Sequence, residues 1–334
     1  MEFKMRRLAI LSGIMAAVTA ALWSTYWIVA ASFIEGEIEL AFSRGAPGLQ
    51  TGLESVSVSG FPSAFDVALT KMSAASRHGV TWSTPGATLT AASLNPTRLE
   101  IDLSQPQAIG GRWGDLTLKT TEAQVIALFG KTLQLPLQDL RLALVGLDVT
   151  HESEAGFAAE KVIAVITNRE GEDAGIYRLE MEVTGADLSR LAAWLPEGYG
   201  RLGPVSAVVD AFFTSGWEVG ALRGEAPAFR GAIIQKATAG FGTSDLTLEG
   251  QLLLDPEGTL SGEVTLTVTN WRDLVALAQD LGKIDAETGQ VFTDMLSDVE
   301  ALRGKPGTLE MPLTIRKGSV TYGILTLGLI PPIR

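Results

Sequence analysis

The sequence predicts a mainly β protein of the α+β class. We expect an N-terminal transmembrane helix, then a large curved antiparallel β-sheet region with a few short helices, arranged as two similar halves. Three observations lead to this fold class. Residues 8–34 carry no charge, apolar and polar residues alternate with a period of two through much of the remaining chain, and only a few later stretches have helical periodicity.

The N-terminal uncharged run is long enough to cross a membrane. Its 27 residues would form a helix about 40 Å long, compared with a hydrocarbon layer of about 30 Å. Lys4, Arg6 and Arg7 precede the run, whereas Glu35 follows it. Because basic residues favour the cytoplasmic side, we predict a single-pass protein of a bacterial inner membrane, with a cytoplasmic N-terminus and most of the chain in the periplasm.

Aromatic residues lie near the outer end of this run. Trp23, Tyr26 and Trp27 are predicted to lie at the membrane interface, where amphipathic rings favour the headgroup layer. The alternative is a signal peptide cleaved after Ala31, because small residues precede that position. Signal peptides have apolar regions of about 7–15 residues, so the longer run favours an uncleaved anchor. Both alternatives export the chain.

The clearest predicted hairpin lies between residues 246 and 269. Apolar side chains alternate on its first strand, Asp255 to Gly258 have the sequence of a type I turn, and a second alternating strand follows at once. An alternating strand has one apolar and one polar face. The residues predicted to line an apolar groove on this hairpin are Leu246, Leu248, Leu252, Val264, Leu266 and Val268.

Helices are predicted at residues 271–281 and 286–303, with a shorter one at 187–195. A strand followed by a helix recurs at 180–192 and 265–278, and residues 116–129 are a candidate third copy, although chance similarity explains the same pattern. We therefore divide the chain into an anchor at 1–34, a β-rich half at 35–200 and a β-rich half with two helices at 201–334.

The composition excludes several kinds of chemistry. The chain has 38 acidic and 26 basic residues, a net charge of −12, which argues against nucleic acid as a partner. It has no cysteine, and its two histidines, His78 and His151, have the setting of exposed loop residues. We predict no catalytic residue, no metal site and no cofactor, and hence a protein that is not an enzyme.

Two segments are less generic than the rest. The first contains Gly60, Phe61 and Pro62, which predict a bend after a strand. The second lies near the C-terminus, where glycines bracket a predicted hairpin and two prolines stop the last strand. The residues of this second motif are Gly318, Gly323, Pro331 and Pro332.

These two segments, together with the anchor and Tyr26-Trp27 at its edge, resemble an uncharacterised and chiefly alphaproteobacterial family, domain of unknown function 2125. That resemblance implies no activity and no catalytic residues. More distantly, the plan resembles the AsmA-like envelope proteins, which have an inner-membrane helix and a long β-rich periplasmic part. This second resemblance implies a curved sheet with an apolar trough that is used in lipid traffic or outer-membrane homeostasis.

The resulting functional hypothesis is a non-catalytic envelope protein that binds or transfers lipid through the apolar groove. Its expected partners are the lipid bilayer, through the N-terminal helix, phospholipid and other envelope proteins. The alternative is a structural or protein-interaction scaffold with a sealed core and no ligand, and an enzyme ranks third. The two leading hypotheses differ in whether the apolar strand faces are open or covered.

Overall fold

The structure is a computed structural model of the 334-residue chain. It describes residues 2–45, 48–77, 79–169, 175–191, 196, 199–218, 220–221, 226–303, 305–323 and 325–332. Side chains are described from residue 15 onward, except those of residues 16, 302 and 303. His78 therefore lies outside the described residues.

The described chain contains three α-helices. They are α1 (Glu2–Arg44), α2 (Trp271–Asp280) and α3 (Ala286–Arg303). All three confirm predicted helices, and α1 continues without a break beyond the uncharged run to a length of 43 residues, about 65 Å. Asp285 caps α3, since the Thr288 amide donates a hydrogen bond of 2.7 Å to its carboxylate. Between Ala17 and Arg44, α1 is apolar enough to span a membrane, a property that signal sequences share.

Eighteen strands fill most of the remaining described chain. The first nine are β1 (Leu49–Gly52), β2 (Ser55–Ser59), β3 (Ala64–Ser76), β4 (Thr81–Ala92), β5 (Asn95–Leu103), β6 (Gln107–Gly111), β7 (Gly114–Lys119), β8 (Glu122–Phe129) and β9 (Leu137–His151). The others are β10 (Gly156–Asn168), β11 (Ile176–Thr184), β12 (Leu202–Phe213), β13 (Phe229–Phe241), β14 (Ser244–Leu254), β15 (Leu260–Thr269), β16 (Thr308–Arg316), β17 (Ser319–Tyr322) and β18 (Leu325–Leu329).

All eighteen strands of the described chain belong to one antiparallel sheet. From β9 to β18, each strand pairs with the next strand in sequence. Before β9, short strands lie end to end in pairs (β1 with β2, β5 with β6, β7 with β8), so the strands occupy fifteen positions. At about 4.8 Å per strand, the sheet measures roughly 65–70 Å across its strands.

The mainly β prediction is confirmed, as is the predicted hairpin. Leu246 lies opposite Val268 on β14 and β15. In the turn between these strands, the Gly258 amide donates a hydrogen bond of 2.9 Å to the Asp255 carbonyl oxygen. This is the bond expected of a four-residue turn with Asp at its first position and Gly at its last.

Two predicted helices differ in the structure. The third copy of the strand–helix repeat is wrong, because Glu122–Phe129 forms β8 and pairs with β5 on one side and β9 on the other. The described part of the helix predicted at 187–195 is a bridge at Asp187 followed by a turn to Leu191, and residues 192–195 lie outside the described chain. The two-half organisation stays a prediction, and β11 pairs directly with β12 across the proposed boundary at 200.

A left-handed residue changes which side chains of β9 share a face. Leu144 and Leu147 pack in one cluster with Val162 on β10, although a regular strand would turn residues three apart to opposite faces. Gly146, between the two leucines, has φ of +61°. This conformation inverts the strand, so one face stays apolar from Leu140 to Val149.

Candidate functional site

One face of the sheet is apolar from its first strands to β16. Directly opposed residues in an antiparallel pair point to the same face, so a row can be followed from strand to strand. One such row, from β2 to β16, consists of Val58, Val67, Leu89, Ile101, Val125, Leu142, Ala164, Met181, Ala207, Ala237, Leu248, Leu266 and Met311. Every member of this row is apolar.

The neighbouring row on the same face is uncharged too. It consists of Phe65, Ala91, Leu99, Ala127, Leu140, Ile166, Leu179, Val209, Ile234, Gly250, Val264 and Leu313. We call the side of the sheet that carries both rows the apolar face. The opposite side is the polar face, and there the row beside Leu142 includes Asp102, Gln124, Glu182, Ser206 and Thr238.

The helices that the structure describes cover the apolar face near its two ends. At the N-terminal end, Trp27 and Ala31 of α1 pack on Phe65 and Val58. At the other end, α2 and α3 pack on β14–β16, where Trp271 forms a buried cluster with Val268 and Leu309. The buried clusters of the described chain contain no helical residue that covers the strands from β4 to β13.

No second layer formed by described residues seals the apolar face. The solvent-accessible surface of the chain is 20349 Å², whereas a compact protein of this mass exposes about 13,000 Å². If one half of the sheet stacked on the other as a sandwich, central residues such as Leu142, Met181 and Val209 would be buried. They are instead partly exposed.

The structure places all six predicted groove residues on the apolar face. Leu246, Leu266 and Val268 lie beneath α2 and α3, whereas Leu248 and Leu252 lie outside that cluster. The hairpin is thus the covered end of a longer apolar surface. Sequence reasoning missed the central part of this surface, although the same alternation around residues 140–144 and 205–211 could have shown it.

The first strands are attached to α1 by aromatic contacts. The Trp27 indole N–H donates a hydrogen bond of 2.9 Å to the Ala64 carbonyl oxygen, and its ring stacks on Phe65 with centroids 5.5 Å apart. Trp23 donates a similar bond of 3.0 Å to the Pro62 carbonyl oxygen. Tyr26 is half exposed and lies against Trp23. Two of the three predicted interface aromatics therefore also bind the sheet.

The Gly60-Phe61-Pro62 motif forms the turn that receives this helix. Gly60 has φ of +97°, and a Cβ there would lie 2.8 Å from the Ala64 carbonyl oxygen, so the turn requires glycine. Phe61 packs edge-on against Trp27, with ring centroids 5.5 Å apart.

The C-terminal motif shapes the last strands. Gly318 and Gly323, with φ of +81° and +58°, lie at the two ends of β17, and Pro331 and Pro332 follow β18. The Ile330 amide donates a hydrogen bond of 2.7 Å to the Gly318 carbonyl oxygen. These contacts fit the structural role predicted for both motifs.

A bidentate ion pair on the polar face joins three strands. Arg178 on β11 makes two hydrogen bonds to the Asp210 carboxylate on β12, at 2.7 and 2.8 Å, and Gln235 on β13 donates a third at 2.8 Å. Asp210 is 8% exposed. The hydrogen bonds from Arg178 hold the pKa of Asp210 below its usual range, although partial burial opposes them. The three side chains are thus joined by hydrogen bonds across three strands, and we call this arrangement the cross-strand clamp.

Replacing Arg178 by methionine should lower the thermal midpoint at pH 7 by roughly 2–6 °C, because Asp210 keeps its charge without its main partner. The folded pKa of Asp210 is depressed, so the clamp stabilises above the unfolded value of about 3.9 and is lost as pH falls through the folded value. The difference from the parent should therefore shrink at pH 3. Thermal unfolding followed by circular dichroism tests this, and an equal difference at both pH values would contradict it.

In the part of the chain that the structure describes, the other candidate for chemistry is His151, the last residue of β9. Its ring nitrogens lie 2.7 Å from Ser153 Oγ and 2.6 Å from the Trp113 carbonyl oxygen. Among the described residues, no three His, Asp or Glu side chains are grouped so that they could hold a metal ion. The apolar face is thus the most distinctive surface of the described chain.

The described chain forms one wide sheet with an uncharged face, and a long apolar helix is joined to its first strands. These features define a class of β-sheet protein that carries a long helix. The chain belongs to the family described as "Uncharacterized protein conserved in bacteria (DUF2125)", whose model matches residues 27–331. This confirms the resemblance seen in the two motifs, both of which lie almost wholly within the matched region. No curated protein and no solved structure matched the chain.

Proposed function

We propose that this chain is a membrane-anchored protein of the bacterial envelope that binds the acyl chains of lipids on its apolar face and is not an enzyme. The observation that carries the proposal is the pair of uncharged rows that cross the sheet, over which no described helix packs between β4 and β13. A partly exposed apolar surface of this extent favours an occupant, because each square ångström left in water costs about 25 cal/mol.

In the proposed orientation, α1 spans the inner membrane and the sheet lies in the periplasm. Basic residues at positions 4, 6 and 7 and acidic residues at 35, 37 and 39 flank the uncharged run. The aromatic junction at Trp27 then connects the end of the membrane span directly to the apolar face. A lipid leaving the bilayer would therefore meet apolar side chains from the first strands onward.

The chemistry of the apolar face suits a lipid whose tails lie on that face and whose headgroup stays in water. The apolar face offers side chains such as Leu142 and Met181, with no charge to pair with a phosphate. Each methylene transferred from water to this surface contributes about 0.8 kcal/mol. Lipid would thus be held by its tails, with little selectivity for the headgroup. The plan resembling AsmA-like proteins likewise implies an apolar trough used in lipid traffic.

Adjacent residues on β9 give a matched test. Leu142→Asp places a carboxylate on the apolar face, and Ala143→Asp places the same group on the polar face one residue away. We expect the purified full-length parent to carry phospholipid, Leu142→Asp to retain less than about a tenth of it, and Ala143→Asp to retain it all. A tenfold loss corresponds to about 1.4 kcal/mol, less than the cost of burying an unpaired charge. Lipid extraction and mass spectrometry measure the content.

Thermal unfolding of the same proteins separates the open face from a sealed core. On an open face the new carboxylate reaches water, so Leu142→Asp should remain folded. In a sealed core it would cost several kcal/mol, a large part of a typical stability of about 5–15 kcal/mol. A lipid-free parent, together with a Leu142→Asp variant that unfolds, would overturn the proposal and favour the scaffold alternative.

One observation favours the scaffold as the second candidate. Strand β18 pairs only with β17 in the described chain, and all five of its residues are exposed, with Leu327 at 57% and Leu329 at 78%. An uncharged, unpaired edge is a surface on which a partner strand adds readily. Lipid-free protein that captures a partner through this edge would be the corresponding outcome.

A further inference from the structure

Exposed apolar side chains cluster on turns beside the point where α1 joins the sheet. Phe61, in the first of these turns, is 52% exposed even though one side of its ring contacts Trp27. The same turn accepts the hydrogen bond from Trp23. Earlier described side chains of α1, such as Met15 at 71% and Leu22 at 67%, are exposed. The helix therefore leaves the sheet at this turn.

The turn between β4 and β5 lies directly beside the first one. The Ser93 amide donates a hydrogen bond of 3.0 Å to the Ser63 carbonyl oxygen, which holds the two turns together. Leu94, the next residue, is 84% exposed. A leucine so exposed at the tip of a turn makes no contribution to the core.

The loop between β8 and β9 carries a third exposed apolar residue at the same end of the sheet. Arg98, near the start of β5, lies opposite Leu128, near the end of β8, so the loop that follows β8 lies beside the start of β5. Leu133 in this loop is 96% exposed. Lys131, two residues earlier, is also exposed, and a basic residue beside an apolar one is a combination that suits an anionic lipid surface.

The length of the helix places these turns at the level of the membrane surface. From residue 8, where the uncharged run begins, to Trp23 and Trp27 the helix rises about 22–29 Å. The hydrocarbon layer is about 30 Å thick, so Trp23 and Trp27 reach its outer boundary when the run fills the bilayer. The turn that both tryptophans bind lies at that boundary as well.

We propose that Phe61, Leu94 and Leu133 form a membrane-contacting tip that inserts into the outer surface of the bilayer and holds the start of the apolar face against the lipid. This inference rests on the proposed membrane anchoring by α1. A single helix leaves a protein free to tilt, whereas three further apolar contacts on one edge fix the sheet at the surface. The ligand of this tip is the lipid interface itself, and no headgroup-specific pocket is required.

The absence of cysteine allows a direct test with the full chain. Leu94→Cys and Leu133→Cys each give a single attachment site for an environment-sensitive NBD fluorophore. Trp113→Cys is the matched control, because Trp113 is 53% exposed in a turn at the opposite end of the strands. The labelled proteins are reconstituted into vesicles of phosphatidylethanolamine and phosphatidylglycerol, with and without lipid carrying a nitroxide on its acyl chain.

The nitroxide should quench the labels at positions 94 and 133 at least about twofold more than the label at 113, since an inserted side chain lies roughly 5–10 Å into the interface. Equal quenching at all three positions overturns the tip. Vesicle flotation shows which proposal has failed: protein that does not float contradicts the anchoring as well, whereas floating protein with unquenched labels contradicts the tip alone. Lipid content of the apolar face, measured with Leu142→Asp, is independent of both.

Discussion

Trp27→Ala is expected to release α1 from the first strands of the sheet. The substitution removes a stacked ring, an edge-on contact to Phe61 and a hydrogen bond to the Ala64 carbonyl oxygen. Truncation of a buried aromatic side chain costs about 3–5 kcal/mol. Other described contacts remain, among them the bond from Trp23 and the packing of Ala31 on Phe65, but local opening should become much more frequent.

Hydrogen exchange measures that opening directly. A loss of 3 kcal/mol or more corresponds to amide exchange about 100-fold faster, confined to β2 and the start of β3, because strands far from the junction keep their own pairing. Trp27→Phe keeps an aromatic ring but loses the indole N–H, so it should lose only about 1 kcal/mol. If Trp27 served only to lie in the headgroup layer, Trp27→Ala would leave amide exchange in detergent unchanged. That result would contradict the packing of Trp27 on the first strands.

The local elements of this fold could be predicted because their signals are local. Alternation with a period of two defines β14 and β15, and helical spacing with a preceding Asp285 defines α3. The uncharged run likewise predicts most of α1. Each of these patterns depends on neighbouring residues whose side chains share one environment.

Which strands pair with each other in the sheet could not be predicted from such local patterns. The pairing of β5 with β8, and of β4 with β6, joins residues that are distant in sequence. Amphipathic strands do not specify their neighbours by pattern alone, since any apolar face satisfies another. For the same reason the sequence predicts residues 122–129 as the helix of a strand–helix repeat. Pairing with β5 and β9 makes them the strand β8 instead.

The sequence predicts an apolar groove, and the structure has an apolar surface, but the predicted residues lie at the end of that surface that helices cover. Leu246 and Leu266 have the clearest alternation, yet α2 and α3 pack over them. The junction was predicted only as separate parts: a bend at Gly60 and Pro62, and interface aromatics at Trp23 and Trp27. That these parts bind one another depends on the path of α1 beside β2 and β3, which no spacing in the sequence encodes.

Glycines inside three neighbouring strands should be the least replaceable residues of the sheet. Gly231, Gly250 and Gly262 lie on β13, β14 and β15, with φ of +159°, +151° and +158°. At Gly262 a Cβ would overlap the carbonyl oxygen of Gln251 on the adjacent strand, and at Gly250 it would lie 2.6 Å from the Cα of Val264. Interior glycines of this kind mark a close approach of two backbones and a bend in the sheet.

Gly262→Ala is therefore expected to destabilise the chain by about 2–5 kcal/mol, because the backbone must leave a conformation that alanine disfavours and the strands must also separate. Gly328→Ala on β18 is the matched control, since nothing lies within 4 Å of the Cβ added there. It should leave stability unchanged to within about 0.5 kcal/mol. Chemical denaturation of both variants with a common parent gives the two free energies of unfolding. Equal stabilities would show that β14 and β15 are not as closely apposed as the structure places them.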